Sequence, residues 1–313
     1  MKKAVILLNM GGASNNDEIK MFLTNMFNDK NIISLPNPFR KLLAFIITKS
    51  RLSHAIENYS KIGGKSPILN HTQNLAKKLQ EKFSDIKIEF VMRYTPPRAA
   101  EVLARLKTQK IEEIFLLPLY PQYSTTTTKS SFEDMEETLK KLNYAPKIKK
   151  IDRFYKNELF CNVILENIKK TLGKDEANQF DLIFSAHSLP QKIIDKGDTY
   201  QKEIEENVLI LSDKLKKNGI NFKNISIAYQ SKLGPVKWLE PSLESVLLKM
   251  QNKKVIIYPL SFTLDNSETD FELSIEYKEA AKENGFLDYR VCPCPNDNDL
   301  FILALEDIIK KTL

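Results

Sequence analysis

Short runs of β-branched, aromatic and aliphatic residues alternate along this chain with longer stretches in which apolar residues return every three or four positions. The short runs predict strands over residues 4–8, 86–92, 113–117 and 147–151 in the first half. In the second half they predict strands over 180–184, 225–229, 254–258 and 289–292. Strands separated by helical patterns signal βα units, hence parallel sheets covered by helices. Each half closes on a helical pattern, about 156–172 and 299–313. The runs Glu113-Ile-Phe-Leu-Leu-Pro-Leu-Tyr120 and Lys254-Val-Ile-Ile-Tyr-Pro-Leu-Ser261 are visibly alike. The expected fold is therefore α/β, with two similar domains, each on a parallel four-stranded sheet, over 1–152 and 153–313. The first carries an extra helical cover over about 15–70.

Composition narrows the class without choosing a function. The chain has 313 residues, 42% hydrophobic and 28% charged, which excludes a disordered, collagen-like or disulfide-scaffold protein. Its net charge of +7 suits an anionic partner of any kind. The three cysteines, Cys161, Cys292 and Cys294, match neither a disulfide framework nor C-x-x-C metal spacing, so a reducing, cytoplasmic setting is expected. The apolar run after Met1-Lys2-Lys3 stops at Asn9 with no cleavage-site pattern, and no run approaches the length of a membrane span. No basic stripe interleaved with aromatics points to nucleic acid.

In open parallel sheets, ligands gather at the carboxyl ends of the strands. His187 follows directly on a predicted strand and is one of three histidines. Its imidazole either accepts a proton near neutral pH and meets a metal, or is a hydrogen-bonded structural group. Glu268, Glu272 and Glu276 lie at i, i+4 and i+8 in a predicted helix over 267–279, which stacks three carboxylates on one face. That face is either solvated, with Asp265 or Ser267 as cap, or an enclosed path for cations or protons. Gly11-Gly12, Gly63-Gly64 and Thr125 to Thr128 match no dinucleotide or P-loop spacing, and indicate backbone turns near a ligand. In the cover, Phe39, Leu42, Leu43 and Ile46 keep helical spacing among Arg40, Lys41, Lys49 and Arg51. Such a segment rests on a membrane surface, covers an apolar ligand, or docks on its own domain.

Seven motifs, in order, resemble ferrochelatases over essentially the whole chain. They are Asn9-Met10-Gly11-Gly12, Tyr59-Ser60-Lys61-Ile62-Gly63-Gly64-Lys65-Ser66-Pro67-Ile68, Met92-Arg93-Tyr94, Leu119-Tyr120-Pro121-Gln122-Tyr123-Ser124, Ser185-Ala186-His187-Ser188-Leu189-Pro190, Tyr229-Gln230-Ser231-Lys232-Leu233-Gly234-Pro235 and Glu268-Thr269. The resemblance implies two Rossmann-like domains of the class II chelatase kind with a tetrapyrrole in the cleft. It implies a lyase that inserts Fe(II) into protoporphyrin IX, releasing two protons and making protohaem, the terminal step of haem synthesis. His187 and Glu268 fall on the catalytic and metal-contacting pair, with Glu272, Glu276 and Asp265 as a cation or proton path. Met10, Arg51, Tyr59, Ser66, Arg93, Tyr123 and Trp238 fall on porphyrin-side positions. Iron is expected as substrate, with no permanent cofactor and no iron–sulfur cluster, since the cysteines are too few. Peripheral contact with the inner face of the membrane is expected through 35–51.

Three positions depart from the family pattern: Asn266 where a histidine is usual, Lys129 where glycine is usual, and Ser274 where an acid is common. Rival readings are a coproporphyrin ferrochelatase, a cobalt or nickel chelatase for another tetrapyrrole, and, outside enzymes, a two-domain solute-binding protein.

Overall fold

The computed structural model describes residues 2–313. The chain divides into two compact units, Met1–Arg153 with Ile309–Leu313, and Phe154–Ile308. The last five residues thus group with the first unit, where the Lys149 ammonium donates to the Thr312 and Leu313 carbonyls at 2.9 and 3.2 Å.

The first unit opens with β1 (Lys3–Asn9), followed by α1 (Asn16–Phe27), α2 (Asn37–Lys61) and α3 (Ile68–Lys82) before β2 (Ile86–Met92). Next come α4 (Ala99–Thr108), β3 (Glu113–Pro118), a π-helical segment Thr125–Lys129 that runs into α5 (Ser130–Lys141), and β4 (Lys147–Lys150). All strand pairs are parallel, in the order β2-β1-β3-β4. β1 is central and reads Ala-Val-Ile-Leu-Leu with every side chain buried, as a strand covered on both faces must be. β4 reads Lys-Ile-Lys-Lys at the sheet edge, where lysines discourage pairing with another chain. One helical layer packs Val102, Leu103, Leu106 and Met135 on Ile6, Leu8, Ile114 and Leu116.

The second unit begins with α6 (Glu158–Leu172), then β5 (Asp181–His187), α7 (Gln191–Asp195), α8 (Tyr200–Lys217), β6 (Asn224–Gln230) and α9 (Leu243–Lys249). It continues with β7 (Lys254–Pro259), a π-helical segment Glu268–Glu276 leading into α10 (Tyr277–Glu283), β8 (Asp288–Val291) and α11 (Asp299–Thr312). Its parallel order, β6-β5-β7-β8, repeats that of the first unit element for element. The two look-alike runs seen in the sequence become β3 and β7, which hold the same place in their sheets. Leu273 of the π-helical segment is fully buried with Ile183, Ala228, Leu243, Val255 and Ile257. Burial of such a leucine contributes about 2 kcal/mol, which anchors the segment to its sheet.

One expectation changes here. The predicted α-helix over 267–279 is a nine-residue π-helix that becomes α-helical only at Tyr277. Its i+5 bonding shows at the Tyr277 N–H, which donates to the Glu272 carbonyl, and the Ser274 side-chain hydroxyl adds a bond to the Thr269 carbonyl at 2.7 Å. Gly11 and Gly12 are, in addition, required by packing between protein segments. Gly11 has φ +86°, and a Cβ there would lie 2.3 Å from Thr95 Oγ1; at Gly12 it would meet Ser66.

The cover is helical as expected, but α2 buries only Ala44, Thr48 and Tyr59. Phe39, Leu42, Phe45 and Ile46 are all more than half exposed, so its apolar face is turned outward rather than docked. Among the described residues no helix is long and apolar enough to cross a membrane.

Candidate active site

β5 ends on His187, which places its side chain at the carboxyl edge of the second sheet. Two anchors fix the backbone there. The His187 N–H donates to Ser261 Oγ at 3.0 Å, and the Tyr200 hydroxyl donates to the His187 carbonyl at 2.9 Å. The imidazole Nδ1 lies 2.8 Å from Glu268 Oε2, on the first residue of the π-helical segment. The same Glu268 oxygen accepts from Ser231 Oγ at 3.0 Å. Ser231 Oγ also bonds Glu272 Oε2, and its N–H donates to Glu272 Oε1 at 2.8 Å. Behind it, Gln230 Nε2 reaches Glu272 Oε2 at 3.3 Å while its own carbonyl oxygen accepts from Ser185 Oγ at 2.6 Å. His187, Glu268, Ser231 and Glu272 therefore form one continuous hydrogen-bonded chain.

Its electrostatics sort the members. Burial works against the imidazolium, but the Glu268 charge and hydrogen bond, with Glu272 behind, hold the His187 pKa above the ordinary value. Burial likewise works against the Glu268 carboxylate, and His187 and Ser231 outweigh it, so that carboxyl sits below its usual range. Burial and the neighbouring Glu268 charge push Glu272 up to about 7. One acid is thus held ionised beside a histidine, and the next takes up or releases a proton near neutrality. The histidine is not sealed in: its side chain keeps 38% of its exposure and that of Glu268 24%. Among the described residues no group of three or more His, Cys, Asp or Glu side chains is arranged to hold a metal ion.

The family model for ferrochelatase matches residues 2–313. A ferrochelatase of Sulfurimonas denitrificans is 53% identical over 99% of this chain and 99% of its own, and one of Wolinella succinogenes is 50% identical with the same coverage of both. The chain belongs to the ferrochelatase family. Among solved structures, SirB of Bacillus subtilis with Fe3+ matches with a TM-score of 0.61 at 10% identity, covering all of this chain and 96% of that one. CbiX, described as the terminal enzyme of siroheme biosynthesis in denitrifying bacteria, matches with a TM-score of 0.57 at 11% identity, covering 99% of this chain and 100% of that one. These likenesses show a shared chelatase-like fold.

The ferrochelatase pattern can now be followed residue by residue. Glu276 is exposed and stands apart from the linked chain. Asp265 faces elsewhere: its carboxylate accepts from the Cys294 N–H at 3.1 Å and from Asn296 Nδ2 at 2.6 Å. Asn266, where the family usually has histidine, starts the π-helix. Its side-chain oxygen accepts from the Glu268 N–H at 2.8 Å, and its own N–H donates to Thr269 Oγ1 at 2.9 Å. The Lys129 N–H makes an i+5 bond to the Ser124 carbonyl at 3.2 Å, so the departure from glycine is accommodated in regular helical backbone.

In the first unit, Met10 is half-buried at the end of β1, with its carbonyl accepting from the Tyr94 N–H. The Tyr59 hydroxyl accepts from the Ala13 N–H at 3.3 Å, and the Ser66 N–H donates to the Ala13 carbonyl at 2.8 Å; both side chains are buried. Arg51 is half-buried on α2. The Arg153 guanidinium lies over the Tyr123 ring. Arg93 is committed to protein partners, Asp29 at 2.9 Å, Asp134 at 3.3 Å and Ser130 Oγ at 2.9 Å. In the second unit Trp238 is half-buried with its Nε1 unpaired.

Sequence reasoning missed two residues. Asp29 is the hub that receives Arg93, the Tyr94 hydroxyl (3.0 Å) and the Ser130 hydroxyl, and it ties the end of the inserted helix α1 to the strand ends. Nothing in Asn28-Asp29-Lys30 signals this. Ser231 stood inside a quoted motif, but only the fold shows that it touches two carboxylates.

Proposed function

We propose that the protein inserts Fe(II) into protoporphyrin IX, with His187 and Glu268 handling the two pyrrole protons that must leave as the metal enters. The observation that carries this reading is the 2.8 Å contact between an imidazole at a strand's carboxyl end and an acid held ionised, in a chain of the ferrochelatase family. Glu268 binds Nδ1, fixing the tautomer so that Nε2 remains for a ring proton. The imidazolium that forms is stabilised by the same carboxylate, which raises its basicity as a paired acid should. Glu272 takes the proton next, and Glu276 stands towards solvent as its exit. Met10, Arg51, Tyr59, Ser66, Tyr123 and Trp238 are assigned to the porphyrin's surroundings, with Arg93 acting through the shape of the strand end. Purified protein given Fe(II) under anaerobic conditions should convert protoporphyrin to protohaem, read by visible absorbance. Conversion of coproporphyrin alone would move the assignment to that substrate, and conversion of neither would overturn it.

The exposed face of α2 supports a second part of the reading, peripheral attachment to anionic lipid from which an apolar porphyrin is drawn. Phe39, Leu42, Phe45 and Ile46 supply apolar surface, and Arg40, Lys41 and Lys49 supply charge. Replacing Leu42, Phe45 and Ile46 with serine should weaken co-sedimentation with anionic vesicles and raise KM for vesicle-borne protoporphyrin about threefold or more. Wild-type protein that fails to co-sediment even at low salt would remove the membrane role and leave the enzyme assignment standing.

A further inference from the structure

We propose that the Ser231 hydroxyl is the link through which a proton passes from Glu268 to Glu272, making Ser231 a positioning residue of the insertion reaction. This deepens the functional reading above and rests on it. Ser231 Oγ bonds Oε2 of Glu268 at 3.0 Å and Oε2 of Glu272. A hydroxyl carries one hydrogen, so it can donate to only one of two carboxyl groups and must accept from the other. Both contacts are satisfied together only when one of the acids carries a proton, and exchanging donor for acceptor moves that proton from one acid to the other.

The backbone gives a second, independent observation. Ser231 has φ +65°, the left-handed region that favours glycine or asparagine and that a serine occupies only when its surroundings hold it. Its N–H, fixed by this conformation, donates to Glu272 Oε1, and Gln230, braced by Ser185, donates to Glu272 from behind. The turn alone asks for glycine; what serine adds is the hydroxyl between the acids. In the step itself, His187 takes a pyrrole proton on Nε2 and releases its Nδ1 proton to Glu268. Glu268 passes a proton to Ser231 Oγ as Ser231 gives its own to Glu272. Glu272 then yields one proton to water. The Nε2 proton then exchanges through solvent for one on Nδ1 and the Ser231 hydroxyl turns back, which resets the chain before the second ring proton; two protons leave in all as Fe(II) enters, and charge balances.

Ser231→Gly suits the positive φ, keeps the N–H bond to Glu272 and deletes only the hydroxyl. Its kcat for Fe(II) insertion should fall about tenfold or more while KM for protoporphyrin stays within about twofold. Its solvent deuterium isotope effect should exceed that of wild type, and added imidazole should restore kcat to the variant but not raise the wild-type value. Ser231→Ala, which lacks the hydroxyl but strains the turn, should show the same rescue. A glycine variant within twofold of wild-type kcat overturns the relay while the ferrochelatase reading stands. So does a loss that imidazole does not restore, or a loss confined to the alanine variant, since each points to backbone shape. Wild-type protein that inserts no iron overturns the reading and the relay together.

Discussion

The carboxyl ends of the two sheets are built alike and charged differently. In each unit the third strand, β3 or β7, leads into a π-helical segment and then an α-helix. The first segment, Thr125–Lys129, carries four threonines, and the charges near it cancel: Arg93 is held by Asp29 and Asp134, Arg98 also faces Asp134, and Ser130 and Tyr94 complete the hydrogen bonds. The second, Glu268–Glu276, carries acids in excess, with one histidine against Glu268 and Glu272. Paired charges of the first kind hold a loop in place. An excess that a proton or a bound cation must neutralise is what the proposed reaction at the second would use. One scaffold was thus used twice, and the chemistry lies in the side chains placed on it.

The contrast can be broken most severely at His187. His187→Ala should lower kcat for iron insertion about thousandfold, near 4 kcal/mol of transition-state stabilisation, while porphyrin still binds by absorbance titration. Near-normal turnover would remove the imidazole from the reaction. The matching change in the first unit, Asp29→Ala, strips Arg93 and Tyr94 of a buried acceptor. It should cost about 3 kcal/mol in denaturant unfolding. A loss below about 1 kcal/mol would show that the first unit's network is not a structural lock. Glu268→Gln keeps shape and deletes charge, and should reduce kcat about a hundredfold, whereas exposed Glu276→Gln should stay within about threefold. Equal, small effects at both would make the acidic face a solvated surface.

The smallest effect sharpens the comparison through pH. Glu272 holds its proton more tightly when folded than an ordinary glutamate, so its stabilising contribution is complete below about pH 4.5 and is lost as pH rises through about 7. Glu272→Gln removes that dependence. Its Tm should match wild type near pH 5 and exceed it by a few degrees at pH 8. The opposite order would mean that the acid is ionised in the folded protein.

Ligand-side geometry was least legible in the sequence. The tetrad His187, Glu268, Ser231 and Glu272 was half visible: the histidine through its place after a strand, the acids through their spacing. The sheet strands were recovered within a few residues of their observed bounds because buried parallel strands are short continuous apolar runs that stand out against helical periodicity. The π-helix was not, because a four-residue spacing fits an α-turn and a π-turn alike until the Tyr277 backbone bond is seen. Asn266 stands where the family usually has histidine, and only the structure shows that its side chain caps the start of that helix.

By itself, the sequence determined the fold class, the repeated strand–helix pattern of two similar units, the family, and the presence of an imidazole and acids at strand ends. Those features are local, written in periodicity and in residue types at the ends of elements. Tertiary structure alone decided which groups meet. His187 meets Glu268 across 81 positions, Ser231 meets Glu272 across 41, and Asp29 meets Arg93 across 64. Such pairs are made by strand order and helix pitch, which bring distant residues together with no trace in the residues on either side of them.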